Sequence, residues 1–106
     1  MKIRIGFAMI AITTATAVGI ALAQGTGADT YKTNCAACHG ADGTASSPAG
    51  KMMKIKSFKS PDSIKKTNAE LTAVISNGAA PMKGFAGKLT DAQIKDVVAY
   101  IRTLQK

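Results

Sequence analysis

Cys35-Ala36-Ala37-Cys38-His39 is the most specific run in this 106-residue chain. The pattern C-x-x-C-H puts two thiols and an imidazole at positions i, i+3 and i+4. On a helix these three side chains leave one face. Two thiols so placed can add to the two vinyl groups of one porphyrin, and the neighbouring imidazole can reach its iron. This is the attachment signature of a c-type haem. The expected cofactor is therefore one haem c, covalent through Cys35 and Cys38, with His39 on the iron. A chain organised around such a face is suited to moving electrons.

Other uses of C-x-x-C fit less well. A structural zinc needs four ligands, and the chain has two Cys and one His in total. A thioredoxin-like site expects a βαβ setting, and no strand pattern is visible. A disulfide across two intervening residues closes a very small loop, stabilises little and leaves His39 without a role.

Upstream of the motif, Lys2 and Arg4 make a basic start to an apolar stretch from Ile5 to about Ala23. Ala21-Leu22-Ala23 then fits an A-x-A cleavage site, the layout of a secretory signal peptide. Residues 1–23 are read as that leader, with an uncleaved membrane anchor as the alternative. Residues 24–106 form the domain. The run is nearly long enough to span a bilayer, but Thr13, Thr14, Thr16 and Gly19 dilute it. The expected location is the periplasm, with no stable membrane insertion once the leader is removed.

A domain of this size buries too little apolar surface to be comfortably stable alone and needs a staple. A covalent haem supplies one, since burying several hundred Å² of macrocycle is worth on the order of 10 kcal/mol gross at about 25 cal/mol per Å². The chain carries a net charge of +8, from 14 Lys and Arg against 6 Asp and Glu. Without Lys2 and Arg4 the balance is +6. A basic domain suits acidic partner surfaces. Nucleic acid is not expected, because no recognition motif for it is present.

Ala28 to Cys38 reads as one helix, with Asp29 favourable in its first turn. Gly40 to about Lys59 is rich in Gly, Ser, Ala and Lys and reads as a long loop, of a kind that usually has a function such as wrapping a cofactor. Ser60-Pro61-Asp62 suits an N-cap followed by proline at the first helical position, opening a short helix to Lys66. Thr67-Asn68-Ala69-Glu70 and Thr90-Asp91-Ala92-Gln93 are capping boxes. The first opens a helix carrying Leu71, Val74 and Ile75 on one side and ending near Asn77-Gly78. The second opens a helix with Ile94, Val97, Val98, Ile101 and Leu104 at spacings of 3, 4, 7 and 10, an apolar stripe of helical period. The fold class is all-α.

His39 is the only histidine, so one chain cannot give an iron two of them. The sixth position is left to Met, to Lys, or open. Among Met52, Met53 and Met82, a buried thioether is more often core filling than a ligand. Met82 differs by context, lying in the loop Gly78-Ala79-Ala80-Pro81-Met82-Lys83-Gly84-Phe85, from which it could approach the iron opposite the first helix. Met52 and Met53 read as haem-edge cover or core.

Taken together, Gly27-x-x-x-Tyr31-x-x-x-Cys35-x-x-Cys38-His39-Gly40, Asp42-Gly43, the Met82 loop, Leu89-Thr90-Asp91 and Val97-Val98-Ala99-Tyr100-Ile101 resemble a small bacterial class I cytochrome c. The resemblance covers nearly all of residues 24–106. It implies three to five helices around one haem, with Cys35 and Cys38 as thioethers, His39 as proximal ligand and Met82 as distal ligand. It implies that the Pro48 carbonyl accepts the other N–H of His39, a bond that fixes ring orientation and basicity. It also implies a close crossing of Gly27 and Tyr31 with Val97 and Tyr100. Many relatives place Pro directly after the ligand Met, whereas here the order is Pro81-Met82-Lys83. The domain has no Trp.

The function implied is one-electron transfer between redox proteins by a monomeric carrier rather than an enzyme. Lys51, Lys54, Lys56, Lys83 and Lys88 would frame the exposed haem edge and steer the carrier to acidic reductase and oxidase faces. An electron-transfer subunit of a larger oxidoreductase is the alternative. A haem enzyme or sensor with an open sixth site is less supported: no second histidine is available as acid–base group, and Arg102 lies on a helix expected to pack elsewhere.

Overall fold

The structure, a computed structural model, describes residues 26–106 together with Gly6 and Ala11. The leader and the 23/24 boundary fall outside the described residues. Among those described there are six helices and no strand: α1 (Gly27–Asn34), α2 (Ala36–His39), α3 (Pro48–Met52), α4 (Pro61–Lys65), α5 (Asn68–Asn77) and α6 (Asp91–Leu104). None is long and apolar enough to cross a membrane.

Helix starts follow local chemistry. The Thr67 hydroxyl accepts from the Glu70 amide at 3.1 Å while the Glu70 carboxylate accepts from the Thr67 amide at 3.2 Å. Thr90 and Gln93 do the same at 3.1 and 2.9 Å. Each box satisfies two amides that a helix start would otherwise leave unpaired. A third box, between Thr26 and Asp29, opens α1 one residue earlier than composition suggests.

The helix count exceeds the expected three to five for two local reasons. Cys35, at φ −122° and ψ −33°, breaks the first helix into α1 and α2. The stretch from Gly40 to Lys59 is not all loop: Ser47 caps α3 and Pro48 is its first residue. That is the same Ser-Pro signal that marks α4.

Packing centres on α1 and α6, with α5 alongside α6. The stripe of α6 is buried as its period requires: Ile94, Val97, Val98 and Ile101 are all within the core, joined by Tyr31, Cys35, Leu71 and Ile75. Each of the aliphatic side chains among them contributes roughly 1.5–3 kcal/mol gross on burial. Gly27 permits the crossing. A Cβ there would lie inside contact distance of the Asp96 backbone carbonyl, so only glycine lets α1 reach α6 this closely. The Tyr31 and Tyr100 rings meet at 5.2 Å and 56°, a tilted aromatic contact. Arg102 is spent on structure. It donates to the Asn68 side chain at 2.8 Å, to the Gln105 side chain at 2.9 Å and to the Lys66 carbonyl, tying α6 to the start of α5.

Candidate functional site: an apolar cavity with sulfur and imidazole donors

Between α2, α5, the Met82 loop and the segment after α3 lies a cavity of about 520 Å³. Its walls are mostly aliphatic and aromatic, with Leu71, Val74 and Ile75 of α5 on one side and Phe85 and Ile101 nearby. Cys35, Cys38, His39 and Met82 all line it. The structure thus brings to one cavity the two thiols and imidazole of C-x-x-C-H and a thioether 43 residues beyond His39.

The segment carrying His39 is held at three successive carbonyls. The Ser47 hydroxyl donates to the Cys38 carbonyl at 2.9 Å, the Ala45 amide to that of His39 at 2.8 Å, and the Tyr31 hydroxyl to that of Gly40 at 2.6 Å. These bonds come from α1, from the loop and from the start of α3. They make the short α2 a fixed platform although a four-residue helix has little stability of its own.

Met82 is held in a different way. Its amide donates to the Ala79 carbonyl at 2.8 Å and its carbonyl accepts from the Ala79 amide at 3.1 Å. The loop is tied to α5 where the Phe85 amide meets the Ile75 carbonyl at 2.8 Å. Met82 is partly buried against the core cluster. Met53 also lines the cavity but is 43% exposed, and Met52, at 84% exposed, is neither core nor wall.

Electrostatics suit a soft, apolar ligand site. Burial holds the His39 imidazole below its ordinary pKa, which favours the neutral form with a lone pair free for a metal. Burial, with Cys38 adding to it, pushes the Cys35 thiol up to about 11. Burial also raises the Tyr31 hydroxyl, keeping it a donor to Gly40. Two thiols, a neutral imidazole and a thioether around apolar walls form a donor set that fits a haem joined through thioethers.

The bond expected between Pro48 and His39 is not formed. His39 Nδ1 is buried and has no hydrogen-bond partner among the described residues. Pro48 is exposed at the first position of α3, where its fixed φ suits a helix start. What lies against the imidazole instead is Phe58, stacked at 4.6 Å between centroids and 18° between planes. Phe58 belongs to no motif in the sequence. The available signal was its being the one aromatic residue between Tyr31 and Phe85.

The five lysines do not share one place. Lys54 and Lys83 line the cavity mouth. Lys56 is turned to a second, polar cleft, where it pairs with Asp62 at 3.2 Å with both side chains 72% exposed. Such a pair is worth about 0–1 kcal/mol.

Comparison with known proteins agrees with this geometry. A family model described as cytochrome c oxidase, cbb3-type, subunit III matches residues 23–101. Cytochrome c6 of Picosynechococcus sp. is 32% identical over 109 residues, covering 95% of this chain and 92% of its own length. The chain belongs to the class I cytochrome c family. This cytochrome is also 34% identical to cytochrome c6 of Thermosynechococcus vestitus, over 92% of this chain and 82% of that one. The solved structure of the c-type cytochrome KustC0563 superposes with a TM-score of 0.70 at 26% identity, over 76% of this chain and 99% of that one. The family carries one covalent haem c and transfers electrons, and the all-α fold is the family's own.

Proposed function

We propose that this cytochrome is an exported, periplasmic one-electron carrier with His39 and Met82 as the axial ligands of its haem. Residues 1–23 are its leader and residues 24–106 its working domain. The observation that carries this reading is the convergence of Cys35, Cys38, His39 and Met82 on one apolar cavity. Bound there, the haem supplies a single reversible electron-accepting centre whose potential a methionine ligand raises. The chain's residues do the rest. Cys35 and Cys38 tether the group, and the three pinned carbonyls fix the platform from which His39 binds. Met82 closes the remaining position and leaves no room for a substrate. Leu71, Ile75 and Phe85 exclude water. Lys54 and Lys83, exposed at the mouth, orient acidic faces of a reductase and an oxidase toward a monomeric carrier.

The test is the far-red absorption of the ferric holoprotein. A weak sulfur-to-iron charge-transfer band that disappears in Met82→Ala is the expected result. A high-spin wild-type spectrum without the band would overturn the ligand assignment.

One observation favours a second reading, an electron-transfer subunit of a larger oxidoreductase. The matching family model takes its description from an oxidase subunit. Size-exclusion chromatography of the native complex separates the two readings: a free carrier elutes at its own mass.

A further inference from the structure

Residues 51–66 hold six lysines, Lys51, Lys54, Lys56, Lys59, Lys65 and Lys66, against one acid, Asp62. Over the rest of residues 26–106, six basic side chains stand against five acidic ones. Nearly all the excess positive charge of the domain therefore sits in this one segment. All six lysines are exposed. Among the described residues only Lys56 has an ion-pair partner, Asp62 at 3.2 Å.

The same segment carries the exposed apolar side chains. Met52 is 84%, Ile64 50% and Met53 43% exposed, and these are the exposed large hydrophobic residues among those described. Met53 and Lys54 line the cavity, but Met52, Ile64 and the other five lysines do not. Met52 and Ile64 are also absent from the walls of the polar cleft beside Lys56. The segment is held firmly. The Ser60 hydroxyl donates to that of Ser63 at 2.9 Å, and the Ser63 hydroxyl to the Ser57 carbonyl at 3.1 Å. From just past the end of α6, the Gln105 side-chain amide donates to the Phe58 carbonyl at 3.1 Å and to that of Ser63 at 3.4 Å. A surface built in advance in this way pays little ordering cost on binding.

Lysines are drawn equally to protein carboxylates and to lipid phosphates, so the apolar side chains decide between them. A protein face would have to provide a matching pocket for Met52 and another for Ile64. The headgroup–acyl boundary of a bilayer takes single apolar side chains wherever they stand. Lysine stems lie along its apolar part while the ammonium groups reach the phosphates.

We propose that the exposed surface of residues 51–66 rests on an anionic bilayer, with Met52 and Ile64 entering the headgroup–acyl boundary and Lys51, Lys59, Lys65 and Lys66 meeting lipid phosphates. Because these residues lie outside the cavity, the protein is held at the membrane with its cavity mouth free for a redox partner. The inference needs the folded holoprotein and is independent of which group fills the sixth position of the iron.

Co-sedimentation of the holoprotein with vesicles tests this. Haem absorbance reports the bound fraction, and an unchanged spectrum reports the integrity of each variant. Binding to vesicles of equal parts phosphatidylglycerol and phosphatidylcholine is expected at about 20 mM salt, with release near about 0.5 M, and none to phosphatidylcholine alone. A holoprotein that ignores the anionic vesicles overturns the proposal and leaves this surface to an acidic protein. Each lysine near an anionic surface is worth roughly fivefold in binding, so Lys65→Glu/Lys66→Glu should weaken it more than about tenfold. Lys32→Glu/Lys95→Glu makes the same charge change on α1 and α6 and should weaken binding by no more than about threefold. Equal losses would make net charge the cause and overturn the proposal. Met52→Ser/Ile64→Ser should lower the affinity several-fold at constant charge; an unchanged affinity overturns the insertion. A neutral hydroquinone should reduce bound and free protein at the same rate, and a marked slowing on the vesicles overturns the free cavity mouth.

Discussion

The Tyr31 hydroxyl donates to the Gly40 carbonyl at 2.6 Å, joining the first helix to the residue that follows His39. Both residues are buried. Tyr31→Phe would leave that carbonyl unpaired, which costs about 1–3 kcal/mol. A domain of this size then melts lower by roughly 4–8 °C per kcal/mol. Burial raises the folded-state pKa of Tyr31 above its ordinary value of 10.0. The stability this contributes is complete below pH 10 and is lost as pH rises beyond it, because the unfolded chain releases the proton first. The slope is up to about 1.4 kcal/mol per pH unit. Denaturant melts of the holoprotein between pH 9 and 12 should show this alkaline decline, and Tyr31→Phe should flatten it.

Gly27→Ala places a methyl against the Asp96 carbonyl at the crossing of α1 and α6. The expected cost is about 1–3 kcal/mol of overpacking, read as a lower melting temperature. The haem spectrum should be unchanged, because neither Gly27 nor Asp96 lines the cavity.

The chain without haem should not fold cooperatively. Without haem the apolar walls formed by Leu71, Val74, Ile75 and Phe85 face water, and a domain this small buries too little other apolar surface to compensate. Circular dichroism of Cys35→Ser/Cys38→Ser expressed without haem should show weak helicity and no sigmoidal melt. A sharp thermal transition would contradict the argument.

The two methionines that line the cavity should behave differently. Met53→Leu, at a 43% exposed position, should keep the far-red sulfur band and shift the melting temperature by no more than a few degrees. Met82→Ala should abolish the band and open the reduced protein to carbon monoxide. Rapid-mixing spectroscopy of both variants distinguishes them.

Lys83→Glu should slow electron transfer to an acidic-faced partner and weaken its dependence on salt, since Lys83 is exposed at the cavity mouth. Lys56→Glu, the same change of net charge, should do neither, because Lys56 is turned to the polar cleft beside Asp62 and away from the cavity. Stopped-flow association rates between about 10 mM and 0.5 M salt supply the comparison. Equal effects of both substitutions would show that net charge, not placement, governs docking.

Local chemistry was legible in the chain alone. Capping boxes at Thr67 and Thr90, the Ser60-Pro61 start and the α6 stripe each act within a few residues, so their spacing foretold α4, α5 and α6. C-x-x-C-H is equally local and named the cofactor. The helix α3 obeys the same Ser-Pro rule, but the Gly, Ser and Lys around it hide a five-residue element. What depended on distant parts meeting was decided only by the tertiary structure. The loop context of Met82 singles it out in the sequence, whereas that Met53 lines the same cavity, and that Met82 packs against the core cluster, appears only in the fold. Lys56 faces Asp62, His39 finds Phe58 rather than a partner at Pro48, and Gln105 holds Phe58 from across the fold. Each of these contacts joins residues whose separation in sequence carries no periodic or motif signal, and their geometry exists only once α1, α5 and α6 have packed.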